Sequence, residues 1–299
     1  MSDAAHAWGK VILLGEHAVV YGHPAIAAGI APGVEARATP REAGVSLHVD
    51  PWNVHVNLEG GGGEHEMLTR ALAALVQAGG GANAHVEAIA HLPAGGGLGS
   101  SAALGVAIAR ALWPAASLEA IDRAAHAFES VFHGTPSGLD AAVAARGGLV
   151  FFRRGQAPTP ITAKAPFSVC IAQSGKSGST HELVRLVAHQ RERNPEATLR
   201  TLVGIGELVG SARVALEDGD WVGLGKLMDL NQILLASLLV STPELEELCR
   251  IARDAGALGA KLTGAGGGGA VVALAPEDPE RVLRAWSAVG VCAKVAQIA

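Results

Sequence analysis

The chain predicts an α+β fold in two parts, and three observations carry that expectation. Short alternating apolar runs dominate its start, and helical hydrophobic spacing then interleaves with further short apolar runs in β-α-β order. Glycine, 39 residues in all, collects at a few junctions instead of repeating through the chain. At 299 residues there is room for one large domain or two ordinary ones.

The elements follow in order. Val11–Leu14 and Ala18–Val20 are apolar runs around Gly15-Glu16-His17, the pattern of a strand and a turn. Val45–Val49 and His55–Leu58 alternate like half-buried strands. In Glu66–Gln77, Met67, Leu68, Ala71, Leu72, Leu75 and Val76 share one helical face, and Gly79-Gly80-Gly81 stops the helix. Ala84–Ala90 reads as a strand entering a glycine loop, followed by a helix over 101–112 that ends before Pro114. The next helix runs from near Ser117 to about Phe132 on a stripe of Leu118, Ile121, Ala125, Phe128 and Phe132. After the Gly134-Thr135-Pro136 turn come a short helix from Ser137 and a strand over Gly148–Phe152.

Gly155–Pro166, with three prolines and little hydrophobic pattern, marks the expected boundary between domains 1–166 and 167–299. Beyond it lie a strand (Phe167–Ala172), helices over about 179–193, 196–217, 219–239 and 243–256, and a glycine-rich loop. A strand (Ala270–Leu274) and a final helix and strand complete the chain.

Composition excludes several functions. Net charge is −5 with Lys and Arg scattered, which gives no basic stripe for nucleic acid. Only 4% of residues are aromatic, so Ala, Val, Leu and Ile must fill the core. Cys170, Cys249 and Cys292 are far apart and form no CxxC, which argues against a disulfide framework or a thiolate zinc site. No signal-like or membrane-length apolar run occurs, and the expectation is a cytoplasmic protein without a membrane partner.

The chemistry concentrates in a few segments. Gly95, Gly96, Gly97, Leu98, Gly99, Ser100, Ser101 and Ala102 form a side-chain-poor loop feeding a helix N-terminus. Free amides and the helix dipole favour phosphate there; a flexible turn capped by Ser100 or Ser101 is the alternative. Gly264 to Gly269 satisfies GxGxxG literally, but a strand follows instead of a helix, which rules out a dinucleotide fingerprint. Gly175-Lys176-Ser177 has a Walker ending, but Cys170 stands where the first glycine is needed. Glu129 and Asp140 flank a turn that could bring two carboxylates together for phosphoryl transfer. Read locally, an exposed helix acid is the favoured reading of Glu129, and a capping box that of Ser137-Gly-Leu-Asp140. His126, Glu129 and His133 share a helical face but lack a fourth ligand for a transition metal. Lys10 borders the first strand, as an end-of-strand cation or as a partner for a catalytic carboxylate.

Taken together, Gly9-Lys10…Gly15-Glu16-His17, Pro93–Ala103 and Lys261–Gly269 resemble the GHMP small-molecule kinases over nearly the whole chain. Gly15–Gly22, Phe132–Asp140, Met228-Asp-Leu-Asn-Gln232 and Lys261–Gly269 look most like the mevalonate kinase branch. The resemblance implies an S5-like N-terminal and a ferredoxin-like C-terminal domain with the active site between them. It implies transfer of the ATP γ-phosphoryl group to the 5-hydroxyl of mevalonate, for isoprenoid precursor synthesis, with ATP and Mg²⁺. By the same resemblance, Gly95–Ala102 would cradle phosphate, Ser100 or Ser101 with Glu129 would hold Mg²⁺, and Asp140 would serve as base or orienting group beside Lys10. Glu16, His17 and Thr263 would bind substrate, with Gly264 and Gly266 closing on the nucleotide. Trp52-Asn53 is placed near the base. A homodimer is left open, as are three rival functions: a sibling kinase for phosphomevalonate, homoserine or a sugar, a diphosphomevalonate decarboxylase-like enzyme, and a non-catalytic ATP or metabolite sensor.

Overall fold

The computed structural model describes residues 4–59, 65–134, 136–176 and 178–299. Thr135 of the Gly134–Pro136 turn and Ser177 of the Gly175-Lys-Ser tripeptide lie outside the described residues. By contacts the chain groups into two compact units. The first is Met1–Lys10, Ala31–Gly95 and Gly99–Gly147; the second is Val11–Ile30, Gly96–Leu98 and Gly148–Ala299. Among the described residues no helix is long and apolar enough to cross a membrane.

Strands β1 (Ala5–Leu14) and β2 (Ala25–Pro40) contribute to both units. In the first unit, β3 (Val45–Asp50), β4 (Val54–Asn57) and β5 (Ala84–Ala90) join the latter part of β2 in the order β4-β3-β5-β2. The β3–β5 pair is parallel, and β3–β4 and β2–β5 are antiparallel. Period-two alternation holds: Val45, Leu47, Val49, Val86 and Ala88 are buried while Ser46, His48 and Glu87 are not. The unit's helices are α1 (Glu66–Ala78), α2 (Ser100–Leu112), α3 (Leu118–His133) and α4 (Leu139–Arg146). Nine of the thirteen residues of α2 are buried because they are small: the helix packs against β5, α3 and α4, and a Cβ at Gly105 would meet the Phe128 ring at 3.0 Å.

In the second unit, Ala25–Ala28 of β2 pair with β6 (Leu149–Phe152), which pairs with β7 (Thr159–Ile161). A separate antiparallel sheet contains β8 (Phe167–Gln173), β9 (Gly259–Thr263), β10 (Ala270–Leu274) and β11 (Ala293–Ile298), ordered β11-β8-β10-β9. Around it lie α5 (Thr180–Arg193), α6 (Pro195–Asp218), α7 (Trp221–Ser237), α8 (Pro243–Asp254) and α9 (Pro279–Ala288). Three of these helices open on proline, where the missing N–H costs nothing. Cys170, Leu262, Val271, Leu248 and Trp286 belong to the unit's core.

Four features depart from the sequence expectation. Strand β2 was not foreseen, since its alanines, glycine and proline carry weak β propensity. It tolerates Gly33 because a Cβ there would fall 1.9 Å from the Ala7 carbonyl oxygen, a close backbone approach. Ala18–Tyr21 is a 3₁₀ turn instead of a strand. The proline-rich stretch 155–166 contains β7, and the residues before the second glycine cluster form β9.

Candidate active site

In the first unit, Gly99 (φ 72°) forms the left-handed entry to α2, and no side chain caps the helix. Its first amides are therefore left for an anion. Glycine is required there twice over: besides its positive φ, a Cβ would lie 2.7 Å from Lys10 Cγ. Lys10 is buried at the end of its β1 segment, with Nζ 3.3 Å from Asp140 Oδ1. Asp140 is in the first turn of α4. Gly138 is the N-cap and the Ser137 hydroxyl accepts from Leu139 N, so the carboxylate faces Lys10 instead of closing a capping box.

Glu129 sits where the α3 stripe puts it. Ser117 caps the helix, Ile121, Ala124, Ala125 and Phe128 face inward, and Glu129 follows them into the interior at 3% exposure. Burial first, and then the Asp140 charge, push its carboxyl up to about 8; a Ser101 hydrogen bond and the Lys10 charge oppose them. Its Oε1 is buried without a hydrogen-bond partner. A carboxylate in that state is prepared for a cation, which would restore the charge and fill the open lone pairs. Ser101, not Ser100, is the serine hydrogen-bonded to it. His133 Nε2 lies 3.7 Å from Glu129 Oε2, and no group of three His, Cys, Asp or Glu among the described residues could hold a metal ion. A cavity of about 550 Å³ in the same unit is lined by Trp52, Ile89, Leu92, Pro93 and Ala94, directly before Gly95.

In the second unit, the Gly15-Glu16-His17 turn follows β1. Glu16 is 1% exposed. Its Oε1 pairs with Lys261 Nζ, and its Oε2 accepts from Asn231 Nδ2 at 3.1 Å. The residue expected to touch substrate thus has both oxygens engaged inside the protein. His17 adopts φ 59°, and its Nε2 donates to the Ala265 carbonyl at 2.8 Å. Burial holds its pKa below the ordinary value, against the pull of that bond, so the neutral ring presents Nδ1 as an acceptor. Thr263 Oγ1 accepts from Ile12 N at 2.8 Å. The cluster Gly264–Gly269 connects antiparallel β9 and β10, with Thr263 opposite Ala270; no helix begins there. Gly97 and Gly264 approach backbone to backbone, a Cβ on Gly264 falling 3.3 Å from the Gly97 carbonyl. Lys261 and Asn231 were not singled out as interacting partners from sequence. Their neighbouring motifs were visible, but a pairing over more than 200 residues leaves no local signal.

The family pattern for the GHMP kinases N terminal domain matches residues 66–148, and that for the GHMP kinases C terminal matches 212–292. A mevalonate kinase of Thermococcus gammatolerans is 37% identical over 97% of this chain and 94% of its own. The chain belongs to the GHMP kinase family. A mevalonate kinase of Methanothermobacter thermautotrophicus is 36% identical over 97% of both chains. Among solved structures, L. major mevalonate kinase in complex with R-mevalonate superposes with a TM-score of 0.85 at 28% identity, covering 100% of this chain and 96% of that one. This GHMP kinase accordingly has the two-domain fold of mixed α/β content and is an ATP-dependent small-molecule kinase.

Proposed function

We propose that this chain transfers the ATP γ-phosphoryl group to the 5-hydroxyl of mevalonate, a step toward isoprenoid precursors. What supports the phosphoryl-transfer chemistry is the Lys10–Asp140 ion pair beside buried Glu129, in the unit that also presents the uncapped start of α2. The acceptor is carried over from the mevalonate kinases that resemble the chain end to end.

In this reading the amides of Gly95–Ala102 bind phosphate oxygens, and Lys10, paired with Asp140, offsets charge that develops on the transferred group. Asp140 orients the acceptor hydroxyl and takes its proton. Glu129 and Ser101, with Ser100 adjacent, would hold Mg²⁺, which when bound neutralises phosphate charge; the orphaned Oε1 and raised pKa of Glu129 fit that group. Neutral His17 offers an acceptor to a substrate hydroxyl. Glu16 and Thr263 contribute by holding the turn and β1 in place, and Gly264 and Gly266 keep the second glycine loop open to close approach. The Trp52-lined cavity offers a flat apolar wall for the adenine base. Both substrates are water-soluble anions, which is compatible with the expected cytoplasmic reaction.

The test is ADP release by purified protein with Mg-ATP against mevalonate, phosphomevalonate, homoserine and galactose. Turnover confined to mevalonate is the expected result. Preference for another acceptor would overturn the substrate assignment while keeping the kinase chemistry. ATP binding with no turnover on any of the four would reject the catalytic reading.

A further inference from the structure

We propose that His48 and His55 form a surface site for a divalent transition-metal ion, within the first unit and separate from the phosphoryl-transfer residues. The two histidines are directly opposed across the antiparallel β3–β4 pair, so both rings project from the same face. Leu47, Val49 and Val56 take the buried face, which leaves the imidazoles on the open one.

The ring geometry points to chelation. Nδ1 of His48 and Nδ1 of His55 are 2.9 Å apart, while the ring centroids are only 4.0 Å apart with planes inclined at 40°. Two imidazoles joined head-on would hold their centroids apart by the nitrogen separation plus the depth of both rings. The shorter spacing means that the nitrogens lean off the line between them, and modest rotation about each Cβ–Cγ bond brings their lone pairs to a common point. With metal–nitrogen bonds of about 2.0–2.1 Å, adjacent nitrogens on one ion sit about 2.9–3.4 Å apart, which this pair already satisfies.

A second observation prepares the donor. Asp50 Oδ1 lies 3.1 Å from His48 Nε2. A proton on the Nε2 that faces this carboxylate leaves the ring's lone pair at Nδ1. This is the carboxylate–histidine arrangement that orients metal-bound imidazoles. Chelation uses both Nδ1 lone pairs, so the proton shared between the two Nδ1 atoms has to move to an Nε2. Glu87 is opposite His48 on β5 and adds negative charge to the same row. Among the described residues no third protein ligand joins the pair, so water completes the coordination. Imidazole donors select Cu²⁺, Ni²⁺ and Zn²⁺ over Mg²⁺ and Ca²⁺, which distinguishes this pair from the carboxylate and hydroxyl set at Glu129.

The experiment titrates the full chain with Cu²⁺ and, separately, Zn²⁺ by calorimetry, and records the Cu²⁺ electron paramagnetic resonance spectrum. One ion per chain is expected, Cu²⁺ tighter than Zn²⁺, with coupling to two imidazole nitrogens. His48→Ala and His55→Ala should each weaken binding at least tenfold, and Asp50→Asn by about 10–100-fold. His189→Ala, on an exposed position of α5, should change nothing. The three histidine variants should keep the parent's Mg²⁺-supported phosphoryl transfer, which separates failure of this site from failure of the kinase reading; Asp50, which also lines the Trp52 cavity, is read by metal affinity alone. Undetectable binding, binding that survives the His48→Ala/His55→Ala double variant, or equal loss in His189→Ala would overturn the proposal and leave an ordinary hydrogen-bonded pair.

Discussion

Lys261→Met isolates the most heavily buried charge in the second unit. Both side chains of the Glu16–Lys261 pair are fully inaccessible, and Lys261 Nζ also donates to the carbonyls of Leu262 and, at 3.3 Å, Ile12. Methionine keeps the length and apolar volume of the stem but removes the cation, leaving the Glu16 carboxylate in the interior with Asn231 and without its Lys261 counter-charge. Breaking a buried pair from one side costs about 3–5 kcal/mol, against about 0–1 kcal/mol for an exposed pair. At about 2–4 °C per kcal/mol for a domain of this size, the loss corresponds to a fall in Tm of roughly 6–20 °C. Urea melts of the parent, Lys261→Met, Glu16→Gln and the double variant would measure it. The double variant should recover most of the loss, because it removes both charges together. A penalty for Lys261→Met below about 1 kcal/mol, the range of an exposed pair, would refute the claim that a desolvated charge pair holds the 15–17 turn.

Other perturbations probe the first unit. Asp140→Asn should lower kcat by orders of magnitude while ATP binding stays near the parent value; near-parental turnover would remove Asp140 from the reaction. Gly99→Ala combines a positive φ with a Cβ 2.7 Å from Lys10 Cγ, and should cost about 1–2 kcal/mol from the backbone term alone, together with a lower kcat as Lys10 shifts. Glu129, raised from 4.5 to about 8, keeps its proton in the folded protein where the unfolded chain has released it. In metal-free protein its contribution to stability is therefore full below pH 4.5 and lost as pH rises toward 8, by about 4–5 kcal/mol. Glu129→Gln should flatten that part of the denaturation-versus-pH profile, and an unchanged profile would reject the buried-acid assignment.

Much of the site was legible because its chemistry sits in short contiguous segments. The run from Gly95 to Ala102 can be read as a helix entry without any tertiary knowledge, and α3, β5 and β8 follow from hydrophobic spacing that local packing enforces. Strand β2 was not legible, since small residues carry little pattern and its pairing partners are distant in sequence. For Glu129 and Asp140 the sequence left two readings open. The apolar stripe of α3 already pointed inward, but only packing shows that the carboxylate travels in with it.

The motifs pointed to the chemical class through their resemblance to the GHMP kinases, as an α+β chain carrying two glycine loops and the acids and lysine that phosphoryl transfer uses. Those are properties of residue type and spacing. Which groups are ionised, engaged or open depends on desolvation and on partners far along the chain. Folding turns Glu16 into the buried counter-charge of Lys261, leaves Glu129 with an orphaned oxygen beside Ser101, and brings His48 and His55 to 2.9 Å. Residue spacing cannot encode a local dielectric or a contact across more than two hundred residues; packing supplies both.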